Sequence, residues 1–298
     1  MNTKSIIAIA ILGMSVSTVF SQKNLYISRA QMILLEKNLE ETSGLCMTSE
    51  GLWSINDSHN PNEVHLLPKD SVDSQIESNQ CYFWGGQPEM KSLKFPIPVQ
   101  NNDWEAIETD GKHLFIGDFG NNAGARRDLR IIELKRVDTG LQVVKLYNFK
   151  YENQSNFERR KLHNFDCEAF RITDSSFQLF TKNWKNLRCN IYEFKIPSDI
   201  DSSVQVARKI ASFNPKFLVT DVSYQNEGLF FCGYSPSGNQ YIGYLRDKTF
   251  NHFWRVKLPY KPAQFEAIQA TEKGLFLSTE SRKTMPATLF YMPFIFVF

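Results

Sequence analysis

The stretch Glu105-Ala-Ile-Glu-Thr-Asp-Gly-Lys-His-Leu-Phe-Ile-Gly117 decides the reading of this chain, because its outline returns four more times. An acidic residue opens a short apolar run, and a second apolar run follows after a turn. The other copies pair Glu41-Thr-Ser-Gly-Leu with Gly51-Leu-Trp-Ser-Ile, Glu168-Ala-Phe with Phe177-Gln-Leu-Phe-Thr, Asp221-Val-Ser-Tyr with Gly228-Leu-Phe-Phe-Cys, and Glu266-Ala-Ile with Gly274-Leu-Phe-Leu-Ser. The acids stand about 45 to 64 residues apart, the span of one four-stranded propeller blade plus loops of varying length. The expected fold is therefore all-β, a five-bladed β-propeller, with six blades as the competitor if the long first unit hides another.

Working outward from that stretch, the second unit reads as strands 105–109, 113–118, 129–136 and 141–149, separated by Gly, Asn or Asp turns. The third reads 168–173, 177–182, 190–196 and 204–213, and the fourth repeats the layout between Val219 and Leu258. The fifth offers 265–270, 274–279 and 288–297, one strand short. A spare strand at Asn24 to Leu34 precedes the first acid. Pairing it with the last blade closes the ring and hides two sheet edges that would otherwise expose unpaired backbone groups.

Residues Met1 to Ser21 carry Lys4, an apolar stretch from Ile6 to Phe20 and small residues at Ser17 and Ser21, the pattern of a secretory signal peptide cleaved before Gln22. The apolar stretch is shorter than the roughly 20 residues of a spanning helix. The expectation is a protein that is secreted, or periplasmic or otherwise extracytoplasmic, with residues 22–298 as a single domain and no transmembrane span after cleavage. A formal net charge of +2, with no basic stripe among the aromatics, argues against a nucleic-acid partner. The aromatic share of 13% suits sheets packed face to face. The five cysteines, Cys46, Cys81, Cys167, Cys189 and Cys232, leave at least one thiol unpaired and have no zinc spacing.

In a propeller the first strand of each blade lines a central channel, so Glu41, Glu105, Glu168, Asp221 and Glu266 are expected to converge. Five carboxylates so gathered need protons, basic side chains or a cation in compensation. Calcium, which takes six to eight oxygen ligands, is the simplest cation for such a set; the competing reading is that the acids cap strand ends or pair with Lys and Arg. The loops after the second strands carry Asp57, Asp118, Lys182, Asn183, Glu280 and Arg282, and share a face with the acids. That mixture suits a metal-bound water held against a phosphoryl or ester oxygen, and Asp57, Asp118, Lys182 and Asn183 are the candidate catalytic residues. There is no Gly-x-Ser-x-Gly elbow, and the five histidines are scattered.

The phrases Glu41-Thr-Ser-Gly-Leu with Leu52-Trp-Ser-Ile-Asn-Asp, Asp103-Trp-Glu-Ala-Ile with Leu114-Phe-Ile-Gly, Glu168-Ala-Phe with Leu179-Phe-Thr-Lys, and Phe265-Glu-Ala-Ile resemble those of the calcium-activated nucleotidases, or apyrases. They are similar too to the SdiA-regulated and esterase-like-phytase propellers. The resemblance implies a secreted five-bladed propeller with a central calcium, and carries Glu41, Glu105, Glu168 and Glu266 over as ligands. Asp221 stands where the nucleotidase pattern has serine, and Asn56 replaces the first of an acidic pair whose second member is Asp57.

Two functions of different class follow. One is a calcium-dependent hydrolase of phosphorylated or ester-bearing small molecules, cleaving a phosphoester or phosphoanhydride. The other is a non-catalytic propeller whose calcium staples the blades and whose loop face binds a glycan, a peptide or an envelope partner.

Overall fold

The computed structural model describes residues 30–78, 89–197, 203–246, 253–260, 263–282 and 285–296, preceded by the short strands β1 (Ala8–Ala10), β2 (Ser15–Ser17) and β3 (Leu25–Ile27). Most of the expected signal segment, and Cys81, lie outside the described residues. The chain is all-β. After β4 (Gln31–Leu34) come β5 (Thr42–Met47), β6 (Gly51–Asn56), β7 (Glu63–Pro68) and β8 (Leu93–Pro96), an antiparallel four-stranded sheet. The length that distinguishes the first sequence unit is taken up by helix α1 (Lys69–Glu77), inserted between β7 and β8. Among the described residues no helix is long and apolar enough to cross a membrane.

The second sheet comprises β9 (Trp104–Thr109), β10 (His113–Asp118), β11 (Arg130–Val137) and β12 (Gly140–Tyr151); the third comprises β13 (Cys167–Ile172), β14 (Ser176–Thr181), β15 (Cys189–Lys195) and β16 (Gln205–Phe213). Their outer strands join, because Phe149–Tyr151 of β12 pairs in parallel with Gln205–Ala207 of β16, giving one eight-stranded sheet. A fourth sheet holds β17 (Leu218–Gln225), β18 (Gly228–Tyr234), β19 (Gln240–Leu245) and β20 (Phe253–Leu258). The last holds β21 (Phe265–Ala270), β22 (Gly274–Thr279) and β23 (Thr288–Phe296). Its outer place is filled by β4, antiparallel to β23 from Gln31 against Tyr291 to Leu34 against Thr288, and by β3 farther along.

Second strands such as Gly51–Asn56, Ser176–Thr181 and Gly274–Thr279 are buried along their whole length, whereas the outer β12 and β16 are only partly buried. Both faces of the inner strands are covered, so their sequences run almost continuously apolar. The covering is supplied by five apolar cores, each wedged between consecutive sheets. Trp53 and Ile55 meet Trp104 and Ile107; Phe119 and Phe149 meet Phe170 and Phe177; Phe180 and Phe213 meet Phe217 and Phe231. Phe230 and Ile242 meet Phe265 and Leu277, and Ala267 and Phe276 meet Leu45 and Leu52. Each fully buried Phe contributes about 1.5–3 kcal/mol of transfer free energy.

The first strands touch in cyclic order, β5 to β9 to β13 to β17 to β21 and back to β5. Several side chains link neighbours across these junctions: the Ser43 hydroxyl donates to the Glu105 carbonyl at 2.7 Å, Thr220 to the Phe265 carbonyl at 2.8 Å, and the Met47 N–H to Gln269 Oε1 at 3.0 Å. Cys46, Cys167, Cys189 and Cys232 are free and buried, acting as small hydrophobes.

Candidate functional site

Each first strand skips one residue in its pairing with the second. The unpaired residues are Gly44, Glu105, Glu168, Thr220 and Glu266. A bulge leaves a residue out of the ladder and re-aims its side chain, and here it does so at the same place in five strands. Three of the five are buried glutamates. Gly44 has room for none: its φ is +73°, and a Cβ there would fall 2.6 Å from the Ile107 nitrogen. Glu41 lies three residues upstream, exposed, and accepts a hydrogen bond from Asn60 Nδ2 at 2.7 Å. Asp221 stands one residue past the bulge. Its oxygens accept the N–H groups of Val222 and Ile268, both at 2.8 Å, so this carboxylate ties β17 to β21. Of the five acids aligned by sequence, Glu105, Glu168 and Glu266 thus share a structural position and Glu41 and Asp221 do not.

Lys182, from the loop after β14, supplies a positive charge among them. Its Nζ is 2.6 Å from Glu168 Oε1. Burial opposes the lysine's charge, but Glu168, Tyr234, Asp166 and Glu266 together hold it well above the usual ammonium range. Burial pushes the Glu168 carboxyl up against the pull of Lys182. Glu105 is pushed well up by burial and then by Glu168, Asp57 and Asp103. Glu266 is raised by burial and by Glu280.

Beside this group, Asp57 from the end of β6, Asp103 just ahead of β9 and Glu105 bring carboxylate oxygens within 4.8 Å of one another. Asn101 holds the two approaching loops, donating to the carbonyls of Asn56 at 3.0 Å and Asp57 at 2.8 Å while accepting the Trp104 N–H at 3.0 Å. Gly120 lies directly against the acids. Its N–H donates to the Asp103 carbonyl at 3.1 Å, and a Cβ there would sit 2.1 Å from Glu105 Oε1 and 2.6 Å from Asp103 Oδ2. Burial, with Asp57 beside it, pushes Asp103 up to about 7, against the Arg126 guanidinium. Asp57 is raised by burial despite the backbone N–H of Ser58. A cleft of about 430 Å³ opens beside the cluster, walled by His59, Asp103, Asn121, Asn122, Arg126 and Arg159.

Asp118 is fully buried between two guanidiniums, 2.9 Å from Arg126 and 2.7 Å from Arg130, and accepts the Asp103 N–H at 3.2 Å. It braces the wall of the cleft. Asn183 accepts the Thr181 hydroxyl at 2.7 Å, and its Nδ2 is buried with no partner. Asp166, absent from the sequence candidates, receives the Asn121 N–H at 2.8 Å and the Trp184 indole at 2.9 Å, linking the loops after β10 and β14. Asp103 was the principal omission. It lies in the quoted Asp103-Trp-Glu-Ala-Ile, two residues from the bulge glutamate, and that adjacency was the available signal.

No family model matches the chain, and no curated protein matches it. Among solved structures, a DUF4623 family protein from Bacteroides eggerthii aligns over 98% of this chain and 87% of its own, at 10% identity and a TM-score of 0.42. That likeness is too distant to bear on function.

Proposed function

We propose that the five strand groups, two of them joined in the eight-stranded sheet, are blades of a five-bladed β-propeller and that the chain binds a divalent cation, calcium, at the mouth of its axis. The cyclic contact of first strands, five inter-sheet cores and the bulge recurring in five strands support the architecture. For the cation, the supporting observation is the meeting of Asp57, Asp103 and Glu105. Oxygens on one calcium lie 2.3–2.6 Å from it, so two of them stand at most about 5 Å apart, and the 4.8 Å spread of this set fits. An all-carboxylate set suits calcium better than zinc, which favours imidazole and thiolate. Glu168 and Glu266, partnered by Lys182, lie behind the cluster as its electrostatic support. Glu41 and Asp221, engaged elsewhere, have no place in this ligand set.

The cleft at the cluster is lined by Arg126 and Arg159 together with Asp103, a combination suited to an anionic ester that the metal holds and polarises. The reading favoured is a secreted, calcium-dependent hydrolase of phosphorylated or ester-bearing small molecules, as the resemblance to the nucleotidase and phytase-like propellers implies. Export is supported by Met1 to Ser21. In that chemistry Asp103 orients the ligand from the cleft wall with Asp57 beside it, Arg126 and Arg159 gather its charge, and Asp118 positions Arg126. Calcium titration of the full-length chain by calorimetry, beside phosphate release from nucleotides and sugar phosphates, tests both parts. Binding that weakens at least about tenfold in Asp103→Asn supports the cation site, since a charged ligand is lost. Absence of calcium binding overturns it, and binding without any turnover leaves a non-catalytic calcium propeller.

A further inference from the structure

A second cavity, of about 230 Å³, lies outside this site, where the segment Asn153 to Phe165 packs over the third sheet. Its wall includes Arg160, Lys185 and Lys209 and no carboxylate. Among the described residues none of these three cations has an ion pair, whereas Arg126, Arg130 and Lys182 on the neighbouring loops are all paired. The nearby Glu152 spends one oxygen on the Lys209 backbone N–H at 2.8 Å and is not part of the wall. Three cations without an ion pair line one hollow, so an anion that enters is attracted by all three.

The rest of the wall is fixed. His163 Nδ1 accepts the Phe165 N–H at 3.1 Å, which places the ring proton on Nε2, facing the Asn122 carbonyl at 3.1 Å. The imidazole braces the segment against Gly124. Tyr192 donates to Asn153 Oδ1 at 3.1 Å. One of the lining residues has an atom left over: Asn164 Oδ1 is buried and has no partner. A buried acceptor without a donor calls for one from elsewhere, and a ligand hydroxyl provides it.

We propose that this pocket binds a small hydroxylated ester of phosphate or sulfate, its oxyanion held by Arg160, Lys185 and Lys209 and a hydroxyl given to Asn164. The volume lies below the roughly 300 Å³ at which pockets begin to take drug-sized ligands. The site is separate from the cation cluster and does not depend on it.

Calorimetry on the full-length protein in excess chelator, at constant ionic strength set with chloride, tests this with glycerol phosphate, glycerol sulfate, inorganic phosphate, inorganic sulfate and glycerol. The expected result is saturable binding of at least one ester, weakened at least about tenfold in Lys185→Gln and in Arg160→Gln, each of which removes a charge-assisted contact from an exposed position. The Asn164→Ala variant should weaken the ester and leave its inorganic anion unchanged, and comparison of the two esters identifies the oxyanion. Failure of all five probes to bind overturns the proposal. So does binding that survives in both charge variants, or that chloride abolishes for every anion alike.

Discussion

Lys182 Nζ stands 2.6 Å from Glu168 Oε1, with side-chain exposures of only 7% and 3%. This pair makes it tolerable to bury Glu105 and Glu266 near Glu168. Removing one partner of a buried pair costs about 3–5 kcal/mol, because the other charge is left without compensation. We expect Lys182→Met to lose that much at neutral pH and less at pH 5, because burial raises the carboxyls of Glu168 and Glu105 and a proton on either removes an uncompensated charge. The double variant with Glu168→Gln should recover part of the loss. Urea midpoints of the three variants at both pH values provide the check, and an identical loss at each pH would show that Lys182 contributes packing rather than charge.

Gly44 and Gly111 both have positive φ, at +73° and +90°, but only Gly44 has backbone where a Cβ would go. Gly111→Ala therefore reports backbone strain alone, while Gly44→Ala adds a clash with Ile107 at the β5–β9 junction. We expect the Gly44 variant to be less stable than the Gly111 variant by more than about 1 kcal/mol. Thermal melts of the two, side by side, decide it, and equal melting temperatures would mean that β5 can draw away from β9 without penalty.

Gly120→Ala would set a methyl group against Glu105 Oε1 and Asp103 Oδ2. Both carboxylates must then move, so the calcium-dependent rise in melting temperature expected of the wild type should vanish while the chelated proteins melt at similar temperatures. A ligand bound only by the folded state stabilises it by mass action, which makes the shift a measure of the site. An undiminished shift in the variant would place the cation elsewhere.

The apolar runs were legible in the sequence because both faces of the inner strands are covered, which makes Gly51–Asn56 or Gly274–Thr279 stand out without any periodicity argument. The place of the N-terminal strand was legible from the missing fourth strand of the last unit. The register of the acids was not. A bulge shifts a side chain by one residue, and nothing in Glu41-Thr-Ser-Gly-Leu shows that Gly44, rather than Glu41, falls at the bulge. Asp221 likewise follows Thr220 by one residue and spends its two oxygens on backbone N–H groups. The pairing of β12 with β16 and the bracing of Asp118 by Arg126 and Arg130 are long-range or loop geometry that short phrases do not encode.

The far end of β9 supplies a test of buried charge away from the mouth. Glu108 is three residues past the bulge, and burial pushes its carboxyl up to about 8, against the Thr109 backbone N–H and the Arg171 guanidinium. An acid whose folded pKa exceeds its unfolded one favours the folded state fully below the unfolded value, here near 4.5, and that contribution is lost as pH rises through the folded value. Between about pH 5 and 8 the wild type should therefore lose up to roughly 1.4 kcal/mol per pH unit from this group. The Glu108→Gln variant, uncharged throughout, should show a flatter profile and be the more stable of the two at pH 8. Urea midpoints at pH 5, 6.5 and 8 in excess chelator measure both profiles. Curves that run parallel across the window would show that Arg171 keeps Glu108 ionised in the folded protein and that the two form an ion pair joining β9 to β13.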